Sequence, residues 1–240
     1  MPRGHIHDIL SRAREVTDSV IVALSTGKDS QCVLQVCVEN FAHVSAFFMY
    51  TVPGLSFHER VLAFVKRRYG IEALRVPHWG LARMLKTGSM RLPNAENAKL
   101  PLLKQRDVER YVRGKLGMGW IAYGHKKYES IERTGLITSC QGVDAKHKRI
   151  YPIGDWSNGF VLRYLKRHKI PLSAEYALFH SSYDGGQLDG ESLWALREHM
   201  PDDYAKIVAR FPDAEAEVWR WERYGAAAVR PKEVRPVKEK

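Results

Sequence analysis

The six residues Ser25 to Ser30 (STGKDS) gather three hydroxyls, a glycine, a lysine and an aspartate in a stretch the size of one turn, a set suited to holding a phosphate group. Gly27 allows a close approach of the backbone to a ligand. Ser25, Thr26 and Ser30 offer hydroxyl donors, and Lys28 offers a mobile positive charge. Asp29 suits the N-cap or first turn of a helix. If a helix begins here, its unpaired amides and its dipole favour an anion at the same point. An ordinary tight turn between a strand and a helix is the alternative reading of the same six residues.

The elements on either side must position that loop. Val20 to Leu24 (VIVAL) is too short for a helix and apolar throughout, as in a strand buried on both faces. Gln31 to Val38 carries a helical apolar face. A second strand is predicted at Val44 to Met49, a helix at His58 to Tyr69 ended by Gly70, a strand at Ala73 to Val76, a helix at Leu102 to Leu116 and a short strand at Trp120 to Tyr123. A short helix over Ile6 to Ala13 precedes them. Lys86 to Lys99 lacks periodicity and reads as a mobile loop able to cover a site. Phe160 to Arg167 reads as helical, followed by a Gly-rich turn at Asp184 to Gly190 and helices at Glu191 to Met200 and Tyr204 to Tyr224. Alternating strands and helices predict an α/β fold, an open and mostly parallel sheet with helices on both faces, plus a C-terminal helical extension. The expected organisation is a nucleotide-binding domain over 1–190, the extension over 191–228 and a basic disordered tail over 229–240.

The chain has 240 residues, 45% of them hydrophobic, enough for a substantial core. No apolar run is long enough to cross a membrane and no secretory signal opens the chain, so a cytoplasmic protein without a membrane partner is expected. Cys32, Cys37 and Cys140 suit neither a disulfide framework nor a four-thiolate metal site. Cys32 and Cys37 read as small hydrophobes in a buried helix. Trp194, Trp219 and Trp221 read as packing residues, and His5 and His7 as surface residues. The formal charge of +11 attracts phosphate-rich partners, a nucleotide or a nucleic acid, although the tail from Arg230 supplies five basic against two acidic residues of it. A homo-oligomer or a partner protein stays open.

After a buried strand, STGKDS resembles the PP-loop pattern (SGGxDS or SxGKDS) and not the Walker loop, whose first glycine and spacing are missing. Trp120 to Arg133 (WIAYGHKKYESIER) resembles the strand-then-GxRxxxSxxR segment of the phosphoadenosine phosphosulfate (PAPS) reductase family, with Gly124, Lys126, Ser130 and Arg133 at its marked positions. Pro152, Asp155, Trp156, Pro171 and Tyr176 are similar to a later run of the same family. The resemblance implies the adenine nucleotide alpha hydrolase-like fold, with ATP, PAPS or adenylylsulfate bound at Ser25 to Ser30 and Mg²⁺ on the phosphates. It places Gly124, Lys126, Ser130 and Arg133 around the nucleotide, and Lys28, Asp29 and Arg133 in the chemistry. Tyr50 and Thr51 stand where the family carries Asp-Thr-Gly, and His58 and Glu59 stand near its Pro-Glu position. The family's Asp is absent here.

Read from the residues alone, Lys126, Lys127 and Arg133 lie just beyond a strand end, where ligands of open α/β sheets bind. Arg133 can grip phosphate in a bidentate manner, whereas Lys126 acts as a point charge. A solvated surface turn is the other reading. Asp155 suits a helix cap and Trp156 packing against the sheet. His125 suits a proton shuttle or phosphate partner near neutral pH, or a plain surface histidine.

The family's reductases attack the sulfonucleotide with a cysteine near the C-terminus, and no cysteine follows Cys140 here. That departure leaves three functions open. The first is an enzyme of hydrolase or transferase type in sulfur metabolism or elsewhere, cleaving ATP to AMP and pyrophosphate to adenylate an acceptor. The second is a component that modifies DNA or tRNA, and the third is a non-catalytic nucleotide-binding regulator.

Overall fold

The computed structural model describes residues 3–174, 176 and 188–228. Helix α1 (Arg3–Val16) leads into β1 (Ser19–Ala23), then α2 (Lys28–Asn40), β2 (His43–Tyr50), α3 (Ser56–Tyr69) and β3 (Leu74–Pro77). Next come α4 (Leu81–Thr87), the four-residue α5 (Ala95–Ala98), α6 (Gln105–Leu116) and β4 (Ile121–Ala122). A 3₁₀ turn (Lys127–Glu129) and α7 (Ile131–Ser139) lead to β5 (Val143–Asp144), β6 (Arg149–Ile150) and α8 (Asn158–Arg167). Among the described residues, α9 (Gly190–His199), α10 (Pro201–Arg210) and α11 (Ala214–Ala228) come later. Among the described residues no helix is long and apolar enough to cross a membrane.

The strands form one six-stranded sheet in the order β3-β2-β1-β4-β6-β5, parallel except for β5, which pairs antiparallel with β6. Val20 and Val22 pack into the cluster that holds α1, α2, α3 and α8, while Ile21 packs with α6 and α7 on the opposite face. Ala46 and Phe48 of β2 face the first cluster and Phe47 the second. Successive side chains point to opposite faces and both faces are buried, which is why VIVAL has no polar alternation. The chain leaves β1 toward β2 on one side and reaches β4 on the other only later. The crevice at such a reversal of strand order, beyond the strands' carboxyl ends, is where α/β sheets bind ligands.

Several elements differ from their sequence-based bounds. Trp120 to Tyr123 shrinks to the ladder Ile121–Ala122, and α6 begins at Gln105, not Leu102. The stretch predicted as one helix over Tyr204 to Tyr224 is two, because the chain turns between Phe211 and Ala214, where Pro212 offers no amide to a continuing helix. The hairpin β5–β6 and helix α7 lie in a stretch for which no element was predicted, since two-residue strands carry no periodicity to detect. The stretch Lys86 to Lys99 is mostly irregular around α5. The Gly-rich turn at Asp184 to Gly190 lies largely outside the described residues, as do the tail from Arg230 and the side chains of His5 and His7.

The C-terminal helices share a third core cluster with the β2–α3 connection and α4, in which Leu193, Leu196, Ile207 and Phe211 pack with Leu55, Phe57 and Leu81. Of the three tryptophans read as packing residues, Trp194 and Trp219 are exposed. Asp203, buried on α10, accepts hydrogen bonds from the Ser56 amide (2.8 Å) and hydroxyl (2.6 Å), so it caps α3 from a distant helix. Lys206 adds an ion pair at 3.0 Å. Burial works against the charged form of Asp203, but Ser56 and Lys206 outweigh it and hold the carboxyl below its ordinary range. A folded-state pKa below the unfolded one gives stability that is present above the unfolded value and lost as pH falls through the folded one. Asp203→Asn should therefore cost about 2 kcal/mol at neutral pH and flatten the loss of stability in acid. Thermal melts over a pH series check it, and a profile parallel to that of the parent protein would refute the capping role.

Candidate functional site

Strand β1 ends at Ala23 and α2 starts at Lys28, so the loop between them delivers its backbone to the first turn of a thirteen-residue helix. Such a turn leaves four amides without intrahelical partners. Gly27 is the N-cap and Asp29 sits in the first turn, one of the two positions its type suits. Ser30 Oγ donates to the Gly27 carbonyl (2.9 Å) and accepts from Ser25 Oγ (3.2 Å), closing the loop on itself. Gln31 Nε2 donates to the Thr26 carbonyl at 3.1 Å.

Thr26 adopts φ 63°, the left-handed region that a β-branched residue rarely enters. It occupies the first glycine position of the SGGxDS pattern, which explains the glycine there. Its side chain is fully buried, and Thr26 Oγ1 and Gln31 Oε1 have no hydrogen-bond partner among the described residues. Strained backbone and unpartnered buried polar atoms are concentrated at binding sites.

Lys126 reaches this loop from the end of β4. It is only 3% exposed, and its Nζ lies 2.6 Å from Asp29 Oδ1 and 2.7 Å from Asn158 Oδ1. Lys28 Nζ lies 2.6 Å from the other Asp29 oxygen. One carboxylate thus holds two ammonium groups at the mouth of the loop. Gly124 makes this approach feasible, since a Cβ there would sit 3.1 Å from the Asp29 carbonyl carbon and 3.2 Å from the Ser30 nitrogen. Glu129 stands 3.3 Å from Lys126 and pairs with Arg133. Its carboxyl is held low because the Lys126 amide and the Lys126 and Arg133 charges outweigh the burial that opposes them.

The other predicted residues are placed as follows. Ser130 caps α7, accepting from the Arg133 amide at 3.1 Å. Arg133 is partly exposed and turned onto Glu129. Tyr50 ends β2 half-buried and Thr51 is buried beside it. His58 is buried edge-on against Phe48 and Phe57, and Glu59 pairs with Arg75 at 2.7 Å. Trp156 packs on Phe160 and Tyr164, as expected. Asp155 does not cap α8: Ser157 does, accepting from the Phe160 amide, while Asp155 pairs with Lys127 at 2.7 Å.

His125 is neither a surface residue nor a neutral-pH proton shuttle. Its ring stacks on Tyr123 (5.1 Å) and Tyr151 (5.9 Å). Burial, with help from the Arg133 charge, lowers its pKa to about 4, so it stays neutral through the physiological range. Tyr123 is held in turn by buried Glu109, which accepts its hydroxyl at 2.7 Å and pairs with Arg149 at 2.8 Å. Glu109, Glu129 and Asn158 were not singled out from the sequence. A glutamate on a helix and an asparagine at a helix start carry no local mark of such partners.

Cys32 and Cys37 are buried in α2, where burial pushes both thiols up. Cys140 is half-buried at the end of α7, and burial raises its thiol as well. A cavity of about 640 Å³ is lined by Ile9, Arg12, Lys127, Ile137, Gln141 and Asp155 among others, and by no residue of the loop. Lys126 turns to the loop and Lys127 to this cavity, where Lys127 pairs with Asp155 and Arg12 donates to Gln141. The crevice at the loop, with its strain, unpartnered atoms and converging lysines, is the candidate site.

Compared with known proteins, residues 19–182 match the family model of the phosphoadenosine phosphosulfate reductase domain. A search of curated proteins gave no match. Among solved structures, the U34-tRNA thiolase NcsA from Methanococcus maripaludis with its 4Fe-4S cluster is similar at 16% identity and a TM-score of 0.47, over 89% of this chain and 81% of that one. The phosphate complex of phosphoadenylyl-sulfate reductase from Candida auris aligns at 13% identity and a TM-score of 0.45, over 76% and 98% of the two chains. NH3-dependent NAD synthetase from Campylobacter jejuni, in complex with the nitrate ion, aligns at 13% identity and a TM-score of 0.48, over 90% and 94%.

Proposed function

The chain belongs to the phosphoadenosine phosphosulfate reductase domain family of the PP-loop superfamily, and from that premise we propose that it binds ATP or a sulfonucleotide at Ser25–Ser30 and cleaves ATP between the α and β phosphates, adenylating an acceptor. The observation that carries this reading is the double lysine on Asp29. With no ligand, Lys28 and Lys126 neutralise one carboxylate. A polyphosphate entering at the α2 N-terminus offers both ammonium groups more negative charge at the same place. The acceptor's nucleophile bonds to the α-phosphorus as the bond to the bridging oxygen breaks, and the two lysines meet the charge that develops on the departing pyrophosphate.

Mg²⁺ fits as an ion carried on the phosphates. Asp29 is the carboxylate within the loop, and among the described residues no group of three His, Cys, Asp or Glu side chains is arranged to hold a metal. Asp29 would help hold such an ion alongside the phosphates. When bound it would screen the phosphate charge. Cysteine-based reduction is disfavoured, because the attacking species is a thiolate and burial raises all three thiols.

The test is calorimetry with ATP, PAPS and adenylylsulfate in the presence of Mg²⁺, with AMP, pyrophosphate and sulfite followed in the same samples. AMP and pyrophosphate from ATP are the expected products. Lys28→Ala should weaken ATP binding by roughly tenfold or more, as loss of a charge-assisted contact does, and leave the melting temperature close to that of the parent. Sulfite release would restore the reductase reading, and binding without product would favour a regulator. Unchanged ATP affinity in Lys28→Ala would remove the site assignment.

A further inference from the structure

Past the end of β4 the chain exposes large apolar side chains. Tyr128 is 81% exposed and Ile131 is 92% exposed, two and five residues after the buried Lys126. The segment leading into α6 exposes Leu102 and Leu103. Gln105 ties the start of α6 to the end of β4 by donating to the Tyr123 hydroxyl at 3.1 Å. Single exposed hydrophobics need no explanation, but Tyr128 and Ile131 stand just past the residue that reaches the loop, and Leu102 and Leu103 precede a helix tied to the same strand end, which indicates a surface that something covers.

Cations are interleaved with them. Lys104 and Arg106 are exposed next to the two leucines, and Arg133 lies near Tyr128 and Ile131, close enough for its charge to act on His125. An aromatic face standing free among basic groups suits a strand of unpaired nucleotides, whose bases stack while the phosphates meet the cations. The whole chain's charge of +11 has the same sign as this edge. A neutral His125 beside it adds no competing charge.

We infer that the acceptor presented to this site is a nucleic acid, held on the rim by its unpaired nucleotides, with a base stacked on Tyr128 and the backbone against Lys104, Arg106 and Arg133. The inference rests on the adenylating reading only for the word acceptor, since strand binding is measurable without nucleotide. It assigns Tyr128 a binding role that no feature of the nucleotide loop requires.

The experiment is fluorescence anisotropy of a labelled single-stranded DNA, an RNA of the same sequence and the matching duplex, over a series of salt concentrations. The expected result is tighter binding of a single strand than of the duplex, weakening as salt rises because phosphate contacts release counterions. Tyr128→Ala should weaken strand binding about tenfold, within the span that stacking on an aromatic side chain contributes, and Tyr128→Phe should restore it. Both variants should keep the parent's ATP affinity. Tyr128 is exposed enough that neither change should disturb folding, which a thermal melt checks. Lys28→Ala, by contrast, should bind strands normally while losing ATP. Strand binding that depends on Tyr128 in a protein without ATP cleavage would keep the inference and discard the adenylating reading. Equal binding by the parent and Tyr128→Ala, no binding to any strand, or burial of the rim in a homodimer seen by light scattering would each overturn it.

Discussion

Replacing Lys126 by methionine is expected to abolish function at the loop, lowering nucleotide affinity or turnover by about 10²-fold, the scale on which removal of a preorganised charge-stabilising group acts. The apolar stem is kept to its ε position and the ammonium is lost. Its three partners, Asp29, Asn158 and Glu129, then face one another without the cation that holds them. Breaking a fully buried pair costs roughly 3–5 kcal/mol. Asp29 here is partly exposed and keeps Lys28, so a loss nearer 2 kcal/mol is expected on that scale. Calorimetry with ATP and a urea melt read the two effects separately. A variant that is less stable but binds ATP as the parent does would reduce Lys126 to a strut between β4 and α2. Asp29→Asn in the same background should then show non-additivity, because the two residues share one contact.

Gly124→Val is expected to have the second largest effect. The β4 end approaches the start of α2 so closely that a first side-chain carbon meets backbone atoms of Asp29 and Ser30 at 3.1 and 3.2 Å. Backbone cannot rotate away as a side chain can, so the strand end or the helix start must shift. Overpacking of this kind costs about 1–3 kcal/mol, with alanine at the low end and valine at or beyond the high end. The shift would also carry Lys126 away from Asp29, and a misplacement of about 1 Å in a positioned site costs on the order of 10²-fold in rate. Gly124→Ala and Gly124→Val, compared by denaturation midpoint and ATP titration, should fall in that order. If alanine binds and melts like the parent, the close approach has more slack than its distances imply.

The parts legible in the sequence were those written in a short stretch of chain. VIVAL followed by a turn and an apolar-faced helix specifies strand, loop and helix because periodicity is a local property, and STGKDS specifies an anion-suited turn because its chemistry needs no distant partner. Cys32 and Cys37 were rightly read as buried hydrophobes for the same reason. The alternating order of elements was sufficient to predict a mostly parallel sheet.

What only the tertiary structure decided was partnership between residues far apart in the chain. Asn158 reads as an ordinary helix-start residue until Lys126 is placed against it, and Asp203 reads as a surface acid until its helix meets Ser56. His125 carried the chemistry of a neutral-pH proton carrier, yet its tyrosine neighbours and its burial move it out of that range. Asp155 stood two residues from the true cap, Ser157, and found Lys127 instead. Burial, charge pairing and close approach depend on which elements the fold sets side by side. For that reason the candidate loop could be picked out from six residues, while the groups that converge on it come from beyond β4 and from α8.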